Sequence, residues 1–165
     1  MQRTAPPPTA PASSAASTPP AKPKPAPKPK PKPLPHIGGL TATQVRNAWS
    51  IVLEGHRMGI GARGQQIAIA TAMQESNLYN LHRAVDHDSL GLFQQRPSSG
   101  WGSPSELTNP TYAAHAFYAV LVHYKGAWGS VWRAAQAVQR SAFPYAYEKH
   151  SAAALHVVRV LDLRF

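Results

Sequence analysis

Residues 67–76 read Ile-Ala-Ile-Ala-Thr-Ala-Met-Gln-Glu-Ser, and they predict the central element of the domain. The side chains from 67 to 73 are apolar or small in every direction, so a helix built from them is predicted to be buried all round rather than amphipathic. Glu75 follows near the end of that helix and is the single formal charge between Arg63 and Arg83. Because burial disfavours the ionised form of a carboxyl group, we expect a raised pKa at Glu75, as an acid catalyst requires near neutral pH.

The chain on either side of this helix is predicted to be all-α. The buried helix itself spans about 63–76, and a first helix begins at the capping-box spacing Thr41-Ala42-Thr43-Gln44. Later helices are predicted from start signals of the same kind. These signals lie at Asn109-Pro110, at Ser130 for a helix over about 131–140, and at Pro144 for a helix that runs towards His156.

The segment from 77 to 102 has no helical period and is rich in Asp, Ser, Gly and His. It is predicted to form loops with at most a short β-hairpin. Loops carried by a rigid helical scaffold are where ligand clefts usually open, so this lobe is the expected site of a cleft.

The N-terminal part of the chain differs in composition from the rest. Residues 1–35 hold 13 of the 17 prolines and six of the 17 basic residues, with no acid and no aromatic residue. Proline at alternate positions from Pro23 to Pro33 is incompatible with both an α-helix and the hydrogen-bond ladder of a β-sheet. We therefore expect a disordered Pro/Ala/Lys-rich spacer over 1–38 and one folded domain over 39–165.

The formal charge of +10 lies mostly in that spacer, which contributes +6, while the remainder contributes +4. A nucleic-acid-binding domain would more naturally interleave its basic residues with aromatics on the folded surface, so the pattern does not favour nucleic acid as a partner. A Lys-Pro spacer beside an anionic cell-wall polymer, or a simple soluble linker, fits the composition better.

Metal and serine chemistry have little support in the sequence. The chain has no cysteine, and His82 and His87, which flank Asp86 and Asp88, match no helix-borne ligand spacing. No Gly-x-Ser-x-Gly elbow is present. We expect neither a metal nor another cofactor.

Four segments follow one another in an order found in a known family. Glu75-Ser76 is followed by Gly91-Leu92-Phe93-Gln94 with Pro97 nearby, then by the Asn109-Pro110 helix, then by the run 134–139, Ala-Ala-Gln-Ala-Val-Gln. The first three segments resemble the soluble lytic transglycosylases and the related goose-type lysozymes, and the whole resemblance covers about residues 40–150. The last segment resembles the family's Ala-Ala-Tyr-Asn-Ala-Gly signature less closely, with Val138 and Gln139 where Tyr and Asn are expected.

The resemblance implies a lysozyme-like helical domain that cleaves the β-1,4 bond between the MurNAc and GlcNAc sugars of peptidoglycan. In lytic transglycosylases one Glu serves as acid and base while the sugar's own 6-hydroxyl attacks, and Glu75 matches that residue. A lysozyme-type hydrolase would need a second carboxylate to activate water, for which Asp86 and Asp88 are the candidates. A peptidoglycan-binding or scaffold module that kept the fold and lost activity is the third possibility.

Residues around Glu75 are expected to contact substrate. Ser76 could bond the carboxyl group or a substrate carbonyl, Gly91 could let the backbone approach the substrate, and Tyr112 could stack on a sugar face. The resemblance implies that Gln94 bonds an N-acetyl or hydroxyl group, and that Gln139 takes the place of the family's Asn.

Location follows from the implied substrate rather than from a targeting signal. Met1 to Ala21 contains no apolar segment of secretory-signal length, and no stretch approaches the ~20 apolar residues of a membrane span. Taken literally the chain is soluble, whereas cleavage of peptidoglycan implies the cell envelope or secretion and would require an anchor or signal upstream. Both interpretations stay open.

Overall fold

The computed structural model describes residues 33–84 and 86–165, and within them the fold is all-α. Predictions that concern 1–32, including the extended spacer, lie outside the described residues. The described part contains no β-strand. Its helices are α1 (Ala42–Arg57), α2 (Ala62–Ser76), α3 (Pro104–Leu107), α4 (Pro110–Leu121), α5 (Val131–Gln139) and α6 (Ser151–Asp162), with 3₁₀ helices at Pro97–Ser99, Val122–Ala127 and Pro144–His150.

Helix α2 is the centre of the domain, as the sequence predicts. It contacts α1, α4, α5, α6 and the 3₁₀ helix Pro144–His150. Ile67 and Ile69 point to different sides of α2, yet neither is exposed at all. Burying each such side chain contributes roughly 1.5–3 kcal/mol, so the all-round apolar surface of α2 explains why the other helices surround it.

The predicted helix starts are confirmed where a side chain forms the cap. The Thr41 hydroxyl accepts from the backbone N–H of Gln44, and the Gln44 side chain accepts from Thr41 in return. The Asn109 side chain accepts from the N–H groups of Thr111 and Tyr112 at the start of α4. Ser130 precedes α5 but makes no side-chain cap bond, so that part of the prediction is wrong.

Two parts of the chain differ from the predicted layout. The helix expected from Pro144 towards His156 begins as a 3₁₀ turn and continues as α6 to Asp162. The segment after residue 77 forms loops, as predicted, and in place of the short hairpin that the sequence allows there is one antiparallel bridge between Leu90 and Gln95. The short helix α3 was missed, although Ser103 and Glu106 form a capping box there.

The folded unit begins a few residues before the expected boundary at 38/39. A compact unit starts at Pro33. Ile37 is 2 % exposed and belongs to the core, and Leu34 packs against the same core. Arg164 near the C-terminus donates to the Pro33 carbonyl at 2.9 Å. Apolar side chains at 34 and 37 therefore extend the domain into the end of the proline-rich segment.

None of the helices in the described part of the chain has both the length and the hydropathy needed to cross a lipid bilayer. Across 33–84 and 86–165, no group of three His, Asp or Glu side chains is arranged to hold a metal ion.

Candidate active site

Glu75 lies in the last turn of α2 at a cleft of about 910 Å³. One wall of the cleft comes from the loop segment 86–101, and another comes from the end of α5 with the residues that follow it, 137–143. The cleft thus opens in the lobe that the sequence predicts for it.

The end of α2 is held in place by α1. Asn77 and Leu78 both adopt left-handed backbone, with φ of 51° and 60°, which is costly for residues that carry a Cβ. Two buried polar side chains of α1 compensate: the Gln44 amide donates to the Asn77 carbonyl at 2.8 Å, and the Asn47 amide donates to the Leu78 carbonyl at 2.7 Å. The chain therefore turns away sharply after Ser76, and Glu75 remains at the edge of the cleft.

The Glu75 carboxyl group is half-buried and its pKa is raised, chiefly because burial disfavours the charged form. Hydrogen bonding from Tyr147 and Gln139 opposes that effect without cancelling it. The Tyr147 hydroxyl donates to Glu75 Oε1 at 2.6 Å, and the Tyr147 side chain is fully buried. Burial, together with the nearby Glu75 charge, also raises the pKa of Tyr147, so this hydroxyl keeps its proton and remains a donor.

Tyr147, whose hydroxyl bonds Glu75, was not predicted from the sequence. It lies in the 3₁₀ helix Pro144–His150, which packs on α2 and α5. The run Pro-Tyr-Ala-Tyr at 144–147 offers two tyrosines, and nothing in their spacing distinguishes Tyr147, which is buried, from Tyr145, which is exposed. Only the packing of this turn against α2 brings one hydroxyl to the acid.

Ser76 does not lie in the wall of the cleft. Its hydroxyl lies 2.8 Å from the Leu92 carbonyl oxygen and 3.1 Å from that of Ala72, and the side chain is buried. The predicted contact with the carboxyl group or the substrate is therefore replaced by a structural one. Ser76 fixes the segment around Leu92 against the end of α2.

Gly91 also acts in packing rather than at the cleft wall. Its backbone is left-handed with φ of 72°, and a Cβ added there would lie 2.0 Å from the Leu107 carbonyl oxygen. Its N–H donates to the Leu81 carbonyl at 2.8 Å. The close approach that requires glycine is to the end of α3.

Gln94 and Gln139 do line the cleft with Glu75. The Gln94 amide donates to the Gly91 carbonyl at 3.0 Å, and the Gln139 amide donates to the Phe93 carbonyl at 2.7 Å. Gln95, which the sequence reasoning passed over, lines the same cleft. It is 2 % exposed, and its Oε1 has no hydrogen-bond partner among the described residues. Three amide side chains therefore accompany the acid.

Tyr112 lies behind the cleft wall. Its hydroxyl donates to the Trp101 carbonyl at 3.3 Å, whereas Trp101 itself lines the cleft. The aromatic side chains in the wall are Trp101, Tyr124 and Phe143. Trp101, rather than Tyr112, is therefore placed to contact a ligand in the cleft. Tyr112 holds the backbone of Trp101 through its hydrogen bond.

The two candidate second acids have different environments. The Asp88 carboxylate accepts from Arg96 Nε at 2.7 Å and from the backbone N–H of Ser98 at 2.8 Å, and it does not line the cleft. These bonds, that from Arg96 above all, hold the pKa of Asp88 far below its usual range. Asp88 therefore holds the loop segments around 88 and 96–98 together. Asp86 lines the cleft, is highly exposed, and pairs with His87 Nδ1 at 2.7 Å.

The sequence matches no protein-family model and no curated protein at a significant level. What the site itself provides is one half-buried carboxyl group with a raised pKa, a buried phenol bonded to it, and a wide cleft lined by amide and aromatic side chains. Such a set can protonate a leaving group on an extended polar ligand.

Proposed function

We propose that this domain cleaves the glycan strands of peptidoglycan as a lytic transglycosylase, with Glu75 as both acid and base. The observation that carries the proposal is the half-buried carboxyl group of Glu75, whose pKa burial raises, in the wall of an open cleft. The order of the sequence motifs supplies the substrate class, and the amide and aromatic wall is of the kind that binds sugars.

The proposed reaction needs one carboxyl group. Protonated Glu75 donates its proton to the glycosidic oxygen as the bond from that oxygen to the anomeric carbon breaks. The sugar's 6-hydroxyl oxygen then bonds the anomeric carbon, and its proton passes to the Glu75 carboxylate, which restores the acid. Because Tyr147 occupies Oε1, the transferred proton resides on Oε2.

A lysozyme-type hydrolase is the second candidate, and the position of Asp86 in the cleft wall favours it. In that reaction Asp86 would take a proton from the attacking water, as the second carboxylate of an inverting glycosidase does. The pairing of Asp86 with His87 and its high exposure argue against it, because a base needs a fixed position beside its water. Asp88 is excluded from this role by its bonds to Arg96 and Ser98.

Digestion of purified peptidoglycan, with the products analysed by mass spectrometry, separates the outcomes. Products that end in 1,6-anhydro sugars support the transglycosylase, whereas free reducing ends favour the hydrolase. Glu75→Gln should abolish either product, and Glu148→Gln is the matched control, since Glu148 is exposed and lies outside the cleft wall. Binding to the strands without any release of products would identify a non-catalytic peptidoglycan-binding module.

The chain is proposed to act in the cell envelope or after secretion, because that is where the substrate is found. Glycan strands are the proposed partner of the cleft, and the basic N-terminal segment is proposed to attract anionic cell-wall polymers.

A further inference from the structure

Arg140 occupies a backbone position that does not suit it. It ends α5 with φ of 52° and ψ of 40°, and its N–H donates to the Gln136 carbonyl at 2.9 Å. Glycine is the usual residue at a left-handed helix end, because any side chain with a Cβ is strained there. The backbone conformation therefore does not explain why this residue is an arginine, and a role of its side chain would.

The Arg140 side chain is also unpaired, unlike the other basic side chains of the cleft wall. Arg96 is bound by Asp88, and His87 by Asp86. Arg140 is exposed and lines the cleft, and no described residue forms an ion pair or side-chain hydrogen bond with its guanidinium. A cation therefore faces the same cleft as Glu75 without a protein partner.

The helix dipole explains only part of this arrangement. A cation near the C-terminus of a helix is stabilised by the partial negative charge there. That effect accounts for a positive charge near the end of α5, but it does not require the left-handed residue to carry it or to face the cleft. The other cation of α5, Arg133, lies over the Trp132 ring at 5.4 Å, outside the Glu75 cleft.

The next residues add an apolar surface to the same wall. Phe143 lines the cleft and is 75 % exposed. An aromatic ring can pack on the apolar face of a sugar, and a guanidinium forms paired, charge-assisted bonds with a carboxylate. Together they match a sugar that carries a carboxylate.

We propose that Arg140 binds a carboxylate carried by the glycan and makes the cleft selective for anionic strands. The proposal rests on the proposed function for the identity of the ligand as a glycan. The carboxylate has two chemical sources in peptidoglycan: the lactyl ether on the sugar ring itself, when it bears no peptide, and the free carboxylates of an attached peptide.

The test measures binding in the Glu75→Gln background, so that strands are not consumed. Peptide-free strands, peptide-bearing strands, and both kinds after chemical amidation of their carboxylates are titrated, and the affinity is measured by isothermal titration calorimetry. Arg140→Gln should weaken binding of one carboxylate-bearing strand type by about tenfold, the scale of a charge-assisted hydrogen bond. The affected type identifies the source. Arg140→Lys should lose less, and Arg133→Gln should bind like the background protein.

Arg140→Gly separates recognition from helix capping. It should raise the melting temperature, because glycine suits the left-handed backbone, and yet lose the same affinity as Arg140→Gln. Two results would overturn the proposal: amidation that leaves the affinity of the Arg140 protein unchanged, or equal affinities of Arg140→Gln and Arg133→Gln for carboxylate-bearing strands.

Failure of the proposed function gives a different pattern. If the wild-type protein releases no glycan fragments while binding still depends on Arg140 and on free carboxylates, the catalytic proposal fails and the recognition proposal stands. If cleavage depends on Glu75 but the Arg140 variants match the control in KM, kcat and affinity, recognition alone is refuted.

Discussion

Replacing Gly91 by alanine should destabilise the domain far more than the same change at Gly59. Both residues have left-handed backbone, with φ of 72° and 68°, so the conformational cost of a Cβ is about 1 kcal/mol at each. A Cβ at 59 would have no heavy atom within 4 Å, whereas one at 91 would lie 2.0 Å from the Leu107 carbonyl oxygen. The difference between the two variants therefore isolates the steric conflict.

The expected loss of stability in Gly91→Ala follows from the atoms that must move to make room for the Cβ. To reach an ordinary contact, residue 91 and Leu107 must separate by more than about 1 Å, which strains the end of α3 or breaks the bond from the Gly91 N–H to Leu81. Overpacking of this kind costs about 1–3 kcal/mol, and a lost buried hydrogen bond costs about 1–3 kcal/mol more. We expect Gly91→Ala to lose about 2–4 kcal/mol beyond Gly59→Ala, or about 10 °C in melting temperature.

Thermal and urea unfolding, followed by far-UV circular dichroism, measure both variants under the same conditions. The packing role predicts a large loss of stability at 91 and a small one at 59. Equal melting temperatures would refute the argument from the Leu107 contact. A Gly91→Ala protein of wild-type stability that had lost glycan cleavage would instead place Gly91 in contact with substrate.

Four further changes test the cleft and the loop beside it. Glu75→Gln should lower glycan cleavage by at least ~10²–10⁴, the usual contribution of a general acid, as measured by fragment release. It should also raise stability at neutral pH but not in acid: the folded pKa of Glu75 is raised, so its stabilising effect is complete below the unfolded pKa and is lost as pH rises through the folded pKa. Tyr147→Phe removes a bond that lowers the Glu75 pKa, so the alkaline limb of the pH–rate profile should move to higher pH. Asp86→Asn should retain most activity, while Asp88→Asn should lower the melting temperature by releasing Arg96 and the Ser98 N–H.

The changes at Glu75, Tyr147 and Asp86 each have a contrary outcome. Wild-type turnover by Glu75→Gln would remove the catalytic proposal. An unchanged pH profile in Tyr147→Phe would mean that the bond does not act on the reactive state of the acid. A loss of ~10²–10⁴ in Asp86→Asn, with an intact fold and reducing-end products, would establish the hydrolase.

The features that could be predicted from the sequence are those that depend on residues close together in the chain. The cap of α1 at Thr41 and that of α4 at Asn109 are bonds made within a few positions, and they form as expected. The buried helix was equally predictable, because its apolar composition is a property of one segment. The short helix α3 carries a capping box but is too short to show a period, so its signal went unused.

The site was less predictable because its contacts are long-range. Tyr147 meets Glu75 across a separation of 72 residues. Ser76 could have bonded the carboxyl group beside it, and only the course of the following loop decides that it bonds Leu92 instead. The sequence spacing alone could not show whether Asp88 acts as a base or bonds the loop, because its role depends on where Arg96 and Ser98 lie in the fold.

The segment Leu92–Phe93 is clamped from two sides, and this has a consequence for motion. The Ser76 hydroxyl on α2 bonds the Leu92 carbonyl, the Gln139 amide on α5 bonds the Phe93 carbonyl, and neither Leu92 nor Phe93 is exposed. The segment Leu92–Phe93 should therefore open only when α2 and α5 separate, which requires close to global unfolding. Hydrogen–deuterium exchange should therefore be slow at Leu92 and Phe93 and faster at 99–101 and 140–143, so that motion in the cleft comes from these outer segments while the segment packed behind Glu75 stays fixed.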